Sequence, residues 1–188
     1  DLITADLFDV HEVLEEETYD AIVSQAVLDL LPLSHALRAL QPLLREGGLW
    51  YLPLHFDGVT GFEPPLDSSL DASIEQLYHE SMSDAEEERH GARSGRALLR
   101  QLPHHDAQLL SAGSSDWVVF PKMGGYPNDE AYFLHHILHF IEAELSDHPA
   151  LDAEAFANWV QHRRQQVEDG TLIYVAHQLD VLARQNSG

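Results

Sequence analysis

The sequence predicts an α/β fold organised around a parallel strand–helix–strand unit, and three observations carry that expectation. Two short apolar runs, Ala21-Ile22-Val23 and Leu49-Trp50-Tyr51-Leu52, have the length and composition of strands buried on both faces. Between them Ala36, Leu37, Leu40 and Leu44 recur at helical spacing, behind a Ser34 suited to the N-cap. Gly47-Gly48 then ends the helix, because glycine accepts the left-handed backbone of a C-terminal cap. A helix crossing between two strands of one sheet makes those strands parallel and the crossover right-handed.

The other elements follow in order. His11 to Thr18 is polar and reads as a short helix or loop. His55-Phe56-Asp57-Gly58 forms a loop past the second strand. Ligands of open α/β sheets sit beyond the carboxyl ends of strands, which makes this loop and Ser24-Gln25 site candidates by position. Pro64-Pro65 bars a helix, and residues 68–88 then read as helical, with Leu70, Ile74, Leu77 and Tyr78 on one face. Gly91 breaks that helix; Ser94 starts another that turns Ala97, Leu98 and Leu102 inward until Pro103. Gln108-Leu109-Leu110 and Trp117 to Phe120 are extended, with a bend at Gly113-Ser114-Ser115. Lys122 to Pro127 is a flexible link. Asn128 caps a helix whose core stripe is Phe133, Leu134, Ile137, Leu138, Ile141 and Leu145. A second begins at Asp152, buries Phe156, Trp159, Val160 and Val167, and stops at Gly170. Leu172 to Ala176 is the last strand, trailed by His177 to Arg184.

Composition narrows the partners. At 188 residues with 44% hydrophobic content the chain suits one soluble globular domain. Zero cysteines exclude disulfides and thiolate metal sites. Asp and Glu number 32 against 10 basic residues, for a formal net charge of -22. Such a chain repels phosphate backbones and anionic membranes. Lys122 is the one lysine, and the pairing of an acidic surface with near-absence of lysine points to a high-salt cytoplasm; the alternative is an ordinary acidic protein with solvated runs at Glu15–Glu17 and Glu86–Glu88.

The stretch YDAIVSQAVLDLL…LLREGGLWYL resembles strands four and five of class I S-adenosylmethionine-dependent methyltransferases, with the GG turn before strand five. The resemblance implies a Rossmann-like methyltransferase sheet, truncated at the N-terminus, because the family's Gly-rich motif and ribose-binding acidic residue precede strand three. On the same resemblance Leu2 to Phe8 is the end of strand three, residues 94–120 are the fifth helix and strand six, and 171–180 strand seven. Residues 1–127 and 170–188 then form the core, and 128–169 an inserted helical cap. Without strands one and two, strand four becomes an exposed edge. The expectation is a homodimer or strand exchange through that edge, or a displaced N-terminal segment.

The implied function is methyl transfer to a small-molecule acceptor; the alternative is a non-catalytic binding or assembly module that keeps the fold. The resemblance places Asp6 and Leu7 against the adenine and Ser24, Gln25 and Ala26 in the cofactor pocket. Asp6 has the alternative of an ordinary carboxylate in a strand-to-helix loop. His55, Asp57 and Glu63 stand where an acceptor could be deprotonated. Trp117, Tyr126 and His136 are candidates for substrate contact. His135, His139 and Glu142 share a helix face at a zinc-compatible spacing, but no HExxH pattern and no fourth ligand accompany them, and solvated histidines fit better. His104-His105 reads as a surface turn. No G-x-S-x-G elbow and no phosphate-binding loop pattern occurs.

Charge of this density also makes stability depend on screening. Raising ionic strength from about 0.1 M to about 1 M shortens the Debye length from roughly 10 Å to roughly 3 Å. Thermal unfolding followed by circular dichroism is expected to shift upward by several degrees in molar potassium chloride; an unchanged midpoint would count against the high-salt reading.

Overall fold

Tyr19–Val23 forms β1 and Leu44–Glu63 forms β2, and the two run parallel, with Ala21 opposite Leu49 and Val23 opposite Tyr51. The structure, a computed structural model, describes residues 2–84, 88–123 and 125–186. The far end of the helix expected over 68–88, most of the Glu86–Glu88 run and Gly124 of the expected link lie outside the described residues.

Helix α1, Leu33–Leu40, makes the crossover and a 3-10 turn over Gln41–Leu43 follows it. It is shorter than expected because Pro42 lacks an amide hydrogen and its ring disfavours the helical conformation of the residue before it. Ser34 lies inside the helix, whose N-cap is Pro32. Gly47-Gly48 falls within β2, where the register jumps from Tyr19–Leu44 to Ala21–Leu49. Gly47 has φ +73, and a Cβ on Gly48 would lie 2.9 Å from the Arg45 carbonyl oxygen, so the bulge needs both glycines.

The remaining elements are α2 (Ser68–Ser81), α3 (Ser94–Gln101), β3 (Ala107–Ser114), β4 (Trp117–Val119), α4 (Glu130–Leu145), α5 (Ala153–Glu168) and β5 (Ile173–Gln185). The sheet order is β1-β2-β5-β3, and β4 also pairs with β5. Strands read as four, five, six and seven therefore lie in the order four, five, seven, six, with β5 antiparallel to β3 and β4.

Several expectations are corrected. Residues 2–6 carry no regular structure and Leu7–Glu12 is a 3-10 helix, so no strand forms over Leu2–Phe8; Leu7, Val10 and Leu14 instead pack against the core. β1 ends the sheet order and is not buried on both faces, Val23 being 65% exposed. His55, Asp57 and Glu63 lie inside the long β2, not in a loop beyond it. Helix α2 stops at Ser81. The N-cap of α4 is Asp129, and Asn128 takes φ +52 before it. β5 continues through the expected tail to Gln185. His105 is buried rather than at the surface.

The chain divides into two compact units: Asp1–Gly58 with Met82–Asp116 and His177–Gly188, and Val59–Ser81 with Trp117–Ala176. In the second unit α2 and β4 group with the two long helices. The first unit is built on Leu33, Leu37, Trp50, Leu52, Leu98 and Val181, and the buried indole of Trp50 donates to Gln185 Oε1 at 3.1 Å. In the second, α4 packs on α2 and α5, burying Ile74, Leu134, Leu138, Ile141, Phe156 and Val160. Asp152 caps α5 by accepting from the Ala155 amide at 2.8 Å. Among the described residues no helix is long and apolar enough to cross a membrane.

In the first unit Gly95 lets α3 close on β2 and β5: a Cβ there would lie 3.0 Å from Asp57 Cβ, the His55 carbonyl oxygen and Leu179 Cβ. Backbone and strand-borne atoms cannot retreat cheaply. Gly95→Ala is expected to cost about 1–3 kcal/mol in urea unfolding. Gly113→Ala, with open space around the added carbon, should stay within about 0.5 kcal/mol of the parent.

Candidate functional site

Burial along β2 changes parity in the middle of the strand. Trp50 and Leu52 point inward; Leu54 adopts φ +61; beyond it the inward side chains are His55 and Asp57. A left-handed residue in a strand inserts a bulge and shifts the alternation by one. Two donors hold it there: the Leu54 amide reaches Asp180 Oδ1 at 2.8 Å, and the Ser115 hydroxyl donates to the same oxygen at 2.7 Å.

His55 is 0% exposed. Its Nδ1 lies 3.2 Å from the Leu52 carbonyl, which can only accept, so Nδ1 carries the hydrogen and Nε2 is the bare nitrogen. That Nε2 has no hydrogen-bond partner, and neither does the buried Oδ1 of Asp29. Burial pushes the imidazole below its ordinary pKa, while the charges of Asp29 and Asp180 oppose the shift. Asp57 is occupied differently. Its carboxylate accepts from the Arg96 amide at 2.7 Å and from Arg96 Nε at 3.0 Å, and Arg96 Nη2 donates to the Asp57 carbonyl at 3.0 Å. It is a clamp between β2 and the start of α3.

The loop after β1 is fastened to β2 through its backbone. The Ser24 amide donates to the Tyr51 carbonyl at 3.1 Å and the Ala26 amide to the Pro53 carbonyl at 3.3 Å, with Ala26 at φ +50. Gln25 and Ala26 are exposed and Ser24 is half-buried. Asp6 caps the 3-10 helix, its Oδ1 accepting from the Phe8 amide at 2.8 Å.

Other candidates belong to the second unit. Trp117 stacks on Phe133 with ring centroids 4.3 Å apart, and Tyr126 donates to the Leu172 carbonyl at 2.7 Å. His136 is exposed and sits 4.8 Å from the Tyr132 ring. His135 meets Glu168 at 3.1 Å and Glu142 pairs with Arg164. In the first unit Asp116 bonds His177 Nδ1 at 2.7 Å.

The second unit also contains a cavity of about 310 Å³, lined by Phe62, Glu63, Glu75, Tyr78, Trp159 and Arg163 among others. Glu63 is the one predicted site residue on its wall. Arg163 is fully buried, its Nη2 2.6 Å from Asp71 Oδ1 and its Nη1 2.7 Å from the Pro64 carbonyl. Its guanidinium lies 5.2 Å from the Trp159 ring and 5.5 Å from that of Phe62. Burial alone would raise the Asp71 pKa, but hydrogen bonds from Trp159 and Arg163 and the Arg163 charge bring it below the ordinary value. Arg163, Asp71 and Asp180 are not marked as functional by sequence pattern alone. A signal existed for the first, since Arg163 continues the inward stripe of Phe156, Trp159 and Val160, where a cation needs a buried partner.

No family profile and no curated protein matches the chain. Solved structures do. A Bacillus halodurans C-125 protein described as a candidate methyltransferase aligns with TM-score 0.52 at 12% identity, over 99% of this chain and 78% of that one. The 4+2 cyclase SpnF gives TM-score 0.46 at 14% identity, over 98% of this chain and 55% of that one. A SAM-dependent methyltransferase from Methanosarcina mazei gives 0.46 at 10%, over 94% and 63% respectively. The first of these establishes the fold: this chain has the Rossmann-like sheet of class I methyltransferases.

His55 also sets a pH dependence of stability. Its folded pKa lies below the unfolded value near 6.5, so the unfolded chain binds the extra proton, and stability is complete above that value and falls as pH drops toward the folded one. Burial lowers His79, His90 and His105 in the same direction. Urea midpoints measured across pH 7 to 5 should therefore decline, and His55→Gln should flatten the decline. An equal slope in the variant would mean that His55 is not held neutral.

Proposed function

We propose that the chain transfers a methyl group from S-adenosylmethionine to a small-molecule acceptor. The observation that supports this most directly is the loop Ser24–Ala26, which lies at the carboxyl end of β1 beside its parallel partner in a sheet of the methyltransferase type. Asp6, Leu7, Ser24, Gln25 and Ala26 would hold the cofactor. Their chemistry fits, since the Ser24 and Ala26 amides are spent on β2 and the side chains of Ser24 and Gln25 are left for a ligand. The second carboxylate oxygen of Asp6 has no partner among the described residues.

When bound, the sulfonium supplies an electrophilic methyl group that is displaced in line, chemistry that needs mainly positioning. Of the residues expected to manage the acceptor's proton, His55 is the one in the first unit that is neutral and bare at Nε2, and as it is fully buried an acceptor would reach it only through a local opening. Asp29 and Asp180 would stabilise its protonated form. Asp57, saturated by Arg96, orients rather than accepts.

The test is a calorimetric titration of S-adenosylmethionine into the folded chain, in low salt and in molar potassium chloride. Saturable binding is expected, weakened about three- to tenfold by Asp6→Ala and by Gln25→Ala, which is about 0.7–1.4 kcal/mol each. A folded chain that binds none at either salt would overturn the reading and leave a binding or assembly module with the same sheet.

A further inference from the structure

We propose that the cavity of the second unit is a binding site for a small organic cation, an ammonium group carried on a compact apolar body. The inference rests on this cavity alone and stands whether or not the first unit binds S-adenosylmethionine.

Size comes first. About 310 Å³ lies at the lower end of the range that small-molecule sites occupy. The wall chemistry is next. The Phe62 and Trp159 rings meet edge-on at 5.7 Å, and buried Ile74 and Ile141 extend the apolar surface. Aromatic faces attract cations through their quadrupole, and the wall already does so, since the Arg163 guanidinium stands over both rings.

Charge then selects the sign of the ligand. Arg163 is matched by Asp71 at 2.6 Å, so the pair contributes no net charge. Glu63 and Glu75 remain, and among the described residues no other basic side chain lines the cavity. Glu75 is fixed in place, accepting from the Thr60 amide at 3.3 Å. His79, one turn further along α2, lies 2.9 Å through Nε2 from the Thr60 hydroxyl, and burial lowers its pKa, which leaves it neutral at pH 7. The Tyr78 hydroxyl, pushed up to about 12 by burial and by Glu144, adds polarity without charge. Two carboxylates thus outnumber the cations beside the aromatic faces. An anion meets repulsion there, and a neutral molecule lacks the charge attraction to Glu63 and Glu75 that a cation has.

Choline and 3,3-dimethyl-1-butanol, which share a shape but differ in carrying nitrogen or carbon at the centre, make the discriminating pair of probes. Each is titrated into the full chain and followed by calorimetry and tryptophan emission. Choline should bind saturably and at least about tenfold more tightly than the neutral isostere, a difference of about 1.4 kcal/mol. Glu75→Gln keeps an acceptor for the Thr60 amide and should remove most of that preference; Ala72→Phe, which fills the cavity from α2, should abolish binding of both probes. Equal affinity for the two probes, no saturable binding of either, or choline binding unchanged in both variants would overturn the proposal.

Discussion

The hydrogen bond from the Leu54 amide to the Asp180 carboxylate is the constraint on which the polar interior of the first unit depends. A non-glycine residue in the left-handed region costs about 1–2 kcal/mol, and a charge-assisted bond at 2.8 Å offsets a cost of that order. The turnover of burial that follows brings His55 and Asp57 inward together. A buried carboxylate must then be paired, and Arg96 supplies the pair with both its amide and its guanidinium. Arg96 can reach only because its neighbour Gly95 has no side chain to hold α3 away from Asp57. One backbone donor thus conditions a strand, a buried ion pair and a helix approach.

That sequence of dependencies explains where reading the residues succeeded. The parallel pair of β1 and β2 was legible because apolar runs and a 3.6-residue period survive without knowledge of any distant contact. The same holds for α4 and α5, whose inward residues recur at helical spacing. Leu54 was illegible. Leucine carries no local sign of a left-handed conformation, and the acceptor that holds it lies 126 positions away. With no local sign that the strand continues through it, the stretch from His55 to Gly58 reads as a loop past the strand end. β5 was cut short for a related reason: Gln178 and Asp180 interrupt its apolar pattern, and Asp180 belongs to the strand because it serves Leu54.

The candidate site was legible in outline and not in its chemistry. Position marked Ser24 to Ala26, yet the backbone bonds that fasten the loop to β2 involve carbonyls of Tyr51 and Pro53, which no side-chain pattern reveals. Pro42 did carry its own message about the end of α1 and was outweighed by the more conspicuous glycines. In the second unit Arg163 is the informative exception, a cation on an apolar stripe whose partner Asp71 lies 92 positions upstream.

The three indoles are distributed so that each unit has a buried optical reporter of its own. Trp50 is wholly enclosed in the first unit, and Trp159 is 3% exposed in the second, while Trp117 is 45% exposed. Replacing Trp117 by phenylalanine would preserve an aromatic face toward Phe133 and leave one emitter in each unit. The emission spectrum would then separate into a signal from the sheet-based core and one from the helical cavity wall, so that loss of structure in one could be followed without the other.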